Sequence, residues 1–116
     1  MIKVSVMYPN KPGVRFDHGY YRENHMPLIK RRMRATLKYC TVDKGLAGAT
    51  PNAPATYVGM CHLLCDSLEA YHAGYDAHAE EIVADIRNFT DQTPVIQISE
   101  VAVENSAKSQ IHEEIS

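Results

Sequence analysis

Long apolar runs are missing from this chain of 116 residues, so no segment approaches the ~18 apolar residues that a membrane span requires. A secretory leader is not expected either, because Met1-Ile2-Lys3-Val4-Ser5-Val6-Met7-Tyr8 is short and alternates too regularly. An excess of positive charge is also missing. The 12 basic and 14 acidic residues leave a formal charge of −2, which argues against nucleic acid or an anionic membrane as the main partner. Cysteine is scarce: Cys40, Cys61 and Cys65 form an odd set with no C-x-x-C pair, which suits a reducing cytoplasm better than a disulfide framework. No G-x-G-x-x-G or G-x-x-x-x-G-K-[ST] run and no recognised metal-ligand spacing occurs, so neither a cofactor nor a metal is expected. The expectation is a soluble, cytoplasmic protein.

The length fits one domain, which buries roughly two-thirds of its unfolded surface without staples. Ile2, Val4, Val6 and Tyr8 alternate with Lys3, Ser5 and Met7 as a first strand, ended by the turn chemistry of Pro9-Asn10-Lys11-Pro12-Gly13. A helix from Asp17 follows, then strand-like segments over 36–46 and 56–65, joined by the small residues Ala47 to Ala55. Asp66 with Glu69 reads as a capping pair for a second helix with the stripe Leu68, Tyr71, Tyr75, Ala79, Ile82, Ile86 and Phe89, softened at Gly74. Residues 95–103 form the last strand, and 104–116 are a polar tail, frayed or a short docking arm.

The order βαββαβ is the ferredoxin-like, split-βαβ arrangement of the α+β class, an antiparallel four-stranded sheet with both helices on one face. Ile2, Val4, Val6, Ile96 and Ile98 are assigned to the helix side. Met7, Val95, Val101 and Val103 then lie on a face the helices cannot cover, which predicts a homodimer with two sheets packed face to face. Ser5, Gln97 and Ser99 would point into such a barrel and orient a ligand there.

Residues 17–28, Asp-His-Gly-Tyr-Tyr-Arg-Glu-Asn-His-Met-Pro-Leu, describe a helix that is started and then broken. Asp17 is the N-cap, with Phe16 stapled to Tyr21. Pro27 has no N–H for the carbonyl of Glu23 and disfavours helical geometry at Met26, so a kink or stop is expected there. That leaves His25 at an exposed backbone seam, suited to proton transfer near neutral pH. The alternative is a histidine that satisfies an orphan carbonyl.

Other constellations carry less. His18 and His25 share a helix face but sit roughly 10 Å apart along the axis at ~1.5 Å per residue, too far for one metal. His72 and His78 fall on different faces. Cys61 and His62 are strand neighbours and point opposite ways, so they do not make a nucleophile–base pair. His62 faces either a barrel interior or a backbone partner. Lys30-Arg31-Arg32-Met33-Arg34 complements a helix dipole and reads as a solvated face.

Tyr8-Pro9, Phe16-Asp17, Tyr20-Tyr21 and His25-Met26-Pro27-Leu28, with residues 39–45, 78–82 and 94–101, resemble the EthD family of the dimeric α/β-barrel superfamily, over residues 1–103. The resemblance implies the homodimeric barrel. It implies much less about chemistry, since association with an oxidative pathway does not make each member an oxidoreductase. With the helix break and the clustered aromatics it gives the reading of a small, apolar organic ligand and an oxidoreductase of the cofactor-independent monooxygenase type with His25 as acid or base. Other readings in the superfamily are an isomerase, a cyclase, or a non-catalytic accessory or carrier protein. His25 matches the family's helical histidine, and Tyr20 and Tyr21 its aromatic pair. Tyr8, Tyr20, Tyr21 and His62 are the candidate ligand-binding residues. The absence of tryptophan departs from the usual cofactor-free monooxygenase and haem patterns.

Overall fold

The structure, a computed structural model, describes residues 1–105. The four strands are β1 (Ile2–Pro9), β2 (Tyr39–Lys44), β3 (Tyr57–Cys65) and β4 (Val95–Glu100), in the sheet order β2-β3-β1-β4 with every neighbouring pair antiparallel. This is the ferredoxin-like arrangement. Its two long crossovers are the helical segments α1 (residues 18–36) and α2 (residues 68–88). Of the expected second strand, residues 36–38 and 45–46 lie outside β2, Thr36 belonging to the end of α1, and of the expected last strand residues 101–103 lie outside β4. Residues 106–116, most of the expected polar tail, lie outside the described residues. Within the described part, the Tyr39 hydroxyl donates to Glu104 Oε2 at 3.0 Å.

Strand alternation separates the two faces of the sheet. Val4, Tyr8, Cys61, Leu63 and Cys65 point to the helices and pack on Tyr21, Met26, Ile29, Met33, Tyr71, Ile82 and Phe89. Ser5, Met7, Met60 and His62 occupy the other face, as the register Ser5↔His62 and Met7↔Met60 requires. Ile96 and Ile98 do share the helix side through Val6↔Ile96 and Val4↔Ile98. They are nevertheless 55% and 44% exposed, because the helices do not reach the β4 edge.

α1 starts as expected: Asp17 Oδ1 accepts the Tyr20 N–H at 3.0 Å, and the Phe16 and Tyr21 rings meet at 5.1 Å. The expected break at Pro27 does not occur. A π turn over Tyr21–His25 takes one extra residue, and a regular α-helix, Met26–Met33, continues from it with proline in its first turn. A proline there needs no N–H donor, so the π turn supplies what a kink would otherwise have to relieve. It also brings His25 and Met26 inward together, both buried with Tyr21. His25 is therefore not at an exposed seam; it is 2% exposed.

α2 is capped by Ser67, whose hydroxyl accepts the Ala70 N–H at 3.1 Å, and not by Asp66. Gly74 is a packing residue: a Cβ there would collide with Thr36 Oγ1 at the end of α1. Its lack of a side chain lets the two helices approach, which outweighs the helix propensity it gives up.

Candidate functional site

His25 emerges from the π turn against α2. Its Nδ1 lies 2.9 Å from Asp85 Oδ2, with the histidine side chain 3% and the aspartate side chain 17% exposed. A carboxylate only accepts, so Nδ1 carries the proton and Nε2 keeps a lone pair. Asp85 Oδ1 accepts from the Tyr20 hydroxyl at 2.7 Å and from Asn88 Nδ2 at 2.9 Å. Phe89 closes over the imidazole at 4.6 Å, and Tyr21 stacks on it at 5.7 Å.

Burial lowers the His25 pKa below the ordinary histidine value, and the Asp85 hydrogen bond and charge only partly offset this. The ring is neutral at physiological pH. For Asp85, burial works against the charge, but hydrogen bonds from Tyr20, His25 and Asn88 together outweigh it and hold the carboxyl below the usual aspartate value. The pair is a neutral imidazole oriented by an ionised carboxylate.

His25 lines a cavity of about 240 Å³ between sheet and helices, walled by Val6, Ile29, Leu63, Ile82, Tyr71 and Tyr75, with Tyr8 and Cys61 beneath. The cavity lies on the helix side of the sheet, not on the face where Ser5, Gln97 and Ser99 point. No Asp, Glu, Lys or Arg lines it among the described residues. Burial pushes the Tyr71 phenol and the Cys61 thiol each up to about 12 and raises Tyr8 as well. All three stay protonated, which removes Cys61 as a nucleophile.

The five residues singled out in the sequence are thus distributed. His25 and Tyr8 line the cavity. Tyr20 stands behind it, tethering Asp85. Tyr21 belongs to the aromatic core, at 5.7 Å from Tyr8 and 4.9 Å from Phe89, and its buried hydroxyl has no hydrogen-bond partner among the described residues. His62 lies on the opposite face, with Nδ1 at 2.7 Å from Ser5 Oγ and Nε2 at 3.2 Å from Asp43 Oδ2. Asp85 and Asn88 escaped the sequence reading. The signal for Asp85 was an acid embedded in the apolar stripe between Ile82 and Phe89.

An α+β ferredoxin-like chain with a buried His–Asp pair on an apolar helix-side cavity is the class that fold and site define. Within that class, the EthD domain pattern matches residues 14–93. An EthD-like protein from Ralstonia eutropha JMP134 is 52% identical, with 90% of this chain and 95% of that chain covered at a TM-score of 0.86. The chain belongs to the EthD family. Two more distant structures share the fold. An ethyl tert-butyl ether D family protein from Bacillus halodurans C-125 is 20% identical, covering 86% of this chain and 97% of that one at a TM-score of 0.63. HapK from Hahella chejuensis is 13% identical, covering 92% and 99% at 0.54. No curated protein matches the chain. Among the described residues, no helix is long and apolar enough to cross a membrane.

Proposed function

We propose that the chain binds a small, largely apolar organic molecule in the helix-side cavity and that His25 acts on it as a general base, oriented by Asp85. The observation that carries this reading is the His25–Asp85 pair at the wall of an apolar cavity. With Nδ1–H held by a carboxylate, Nε2 accepts a proton from the bound molecule, and Asp85 stabilises the imidazolium that forms. Cofactor-independent oxygenation, isomerisation and cyclisation can all open with that step. An oxidoreductase is the reading the family resemblance favours among them. On a substrate found by screening, His25→Ala should lower turnover by about 10²–10⁴-fold while the circular dichroism spectrum is retained. Unchanged turnover removes the assignment.

A carrier role, delivering the molecule to a partner oxygenase, is favoured by one observation: burial keeps Tyr8, Tyr71 and Cys61 protonated, so His25 has no second ready acid–base partner on the cavity wall. Incubating the purified protein with aromatic or ether substrates and O₂ decides between the two. Product without partner proteins excludes the purely accessory role.

The working form is proposed to be a cytoplasmic homodimer of the domain at 1–103, with 104–116 appended. Both helices pack on one sheet face, leaving Met7, Met60, Tyr39 and Val95 on the other. A two-fold partner sheet would bury them together with the Ser5–His62–Asp43 chain.

A further inference from the structure

The geometry points to a substrate class for the cavity: a neutral, weakly acidic aromatic of one or two rings, a phenol or an enol of similar shape, and not a carboxylate or a phosphate. This rests on the reading of His25 as the base of the same cavity. Size sets the first limit. A cavity of ~150 Å³ takes up benzene, so about 240 Å³ holds a substituted ring or a fused pair.

Charge sets the second limit. No cationic side chain lines the cavity among the described residues. The basic residues of α1 do not serve it, because Lys30, Arg31 and Arg34 are exposed and Arg32 is bound to Glu81 through two hydrogen bonds. A carboxylate or phosphate inside would be desolvated without a counter-charge, and an ammonium would fare no better, since the Asp85 carboxylate is already engaged by His25, Tyr20 and Asn88.

The polar pattern sets the third. Nδ1 of His25 is engaged by Asp85 and Nε2 has no partner among the described residues, so a ligand that brings a donor is favoured. The hydroxyls of Tyr8, Tyr71 and Tyr75 likewise have no partner among the described residues and can donate to an oxygen on the ligand. The Tyr71 and Tyr75 rings, stacked at 5.2 Å and 15°, offer a flat wall to a planar body. A ring carrying O–H satisfies all three conditions. An ether of the same shape offers Nε2 no donor and forgoes that hydrogen bond.

Equilibrium binding of 4-nitrophenol, 4-nitroanisole and 4-nitrobenzoate to the full chain at about pH 6.5 tests this, since a His25 pKa below the ordinary value leaves the ring mainly neutral there and the benzoate is ionised. The phenol should bind at least about tenfold more tightly than the anisole, and the benzoate more weakly than either. His25→Phe, which removes the acceptor and keeps the ring volume, should abolish the phenol's advantage. Ile82→Trp should block every probe by filling the cavity, and Val83→Trp at the exposed rim does so without touching the core. Equal binding of phenol and anisole, or benzoate binding as tight as the phenol, overturns the substrate class while cavity-dependent binding leaves the site standing. A phenol preference that survives both tryptophan variants places the ligand elsewhere and overturns the site itself. Absence of binding by all three probes overturns both.

Discussion

At His25, burial and pairing pull in opposite directions, and burial wins. The consequence for stability has a definite sign. Above the ordinary histidine pKa of 6.5 the ring is neutral in both folded and unfolded chains, so pH has no leverage through it. As pH falls below that value the unfolded chain takes up a proton that the native site resists, and stability drops until the native pKa is passed. His18, also lowered chiefly by burial, adds a share. Urea midpoints measured at about pH 7.5 and about pH 5.5 should therefore differ less in His25→Gln than in the unmodified chain. An unchanged difference would mean that His25 is not held neutral. Asp85→Asn leaves the shape but removes the charge that orients and supports the imidazolium, and should lower turnover by about two orders of magnitude or more. Tyr20→Phe removes one of the hydrogen bonds on Asp85, worth about 1 kcal/mol, and should cost less than about tenfold. Rates for the two variants on one substrate check this order, and the reverse order would contradict the assigned roles.

Among the elements, α1 and α2 differ in how far local pattern determined them. The start of α1 was legible because a cap and a staple are local devices, and Asp17, Phe16 and Tyr21 satisfy both. Its passage through Pro27 was not, since proline forbids an N–H donor but does not say whether the backbone stops or inserts a π turn. The tertiary benefit of burying Tyr21, His25 and Met26 together decides that, and it is invisible in a local window. Gly74 shows the same limit. Helix propensity alone makes it a weak point, whereas the structure makes it the place where α2 meets Thr36. Gly74→Ala, which adds helix propensity, should therefore destabilise the protein by about 1–3 kcal/mol, and adding Thr36→Ala should recover part of the loss. Chemical denaturation of the single and double variants measures this, and a stabilised Gly74→Ala would contradict the close approach.

For the whole molecule, the alternation of β1 revealed the sheet's two faces, and the order of elements revealed the fold. The side on which the cavity lies was not legible. Its polar pair joins positions 60 apart in sequence, and the exposure of Ile96 and Ile98 depends on where the helices end relative to β4. That exposure makes Ile98→Lys a mild change for the monomer, while Val4→Lys, in the fully buried centre, should unfold it. Met7→Lys on the open face should instead give a folded monomer by native mass spectrometry, if a partner sheet of roughly 1,600 Å² total burial covers that face. A persistent Met7→Lys dimer, or a folded monomer of the unmodified chain at micromolar concentration, would contradict the face-to-face pairing. The proposed function rests on His25 as a neutral imidazole oriented by Asp85. Long-range ¹H–¹⁵N spectra of the labelled protein across a pH titration test this most directly. The account predicts Nδ1 protonated and Nε2 free at neutral pH, a His25 pKa below the ordinary histidine value, and a further fall in Asp85→Asn. A proton on Nε2, or a His25 pKa at or above that value, would contradict it.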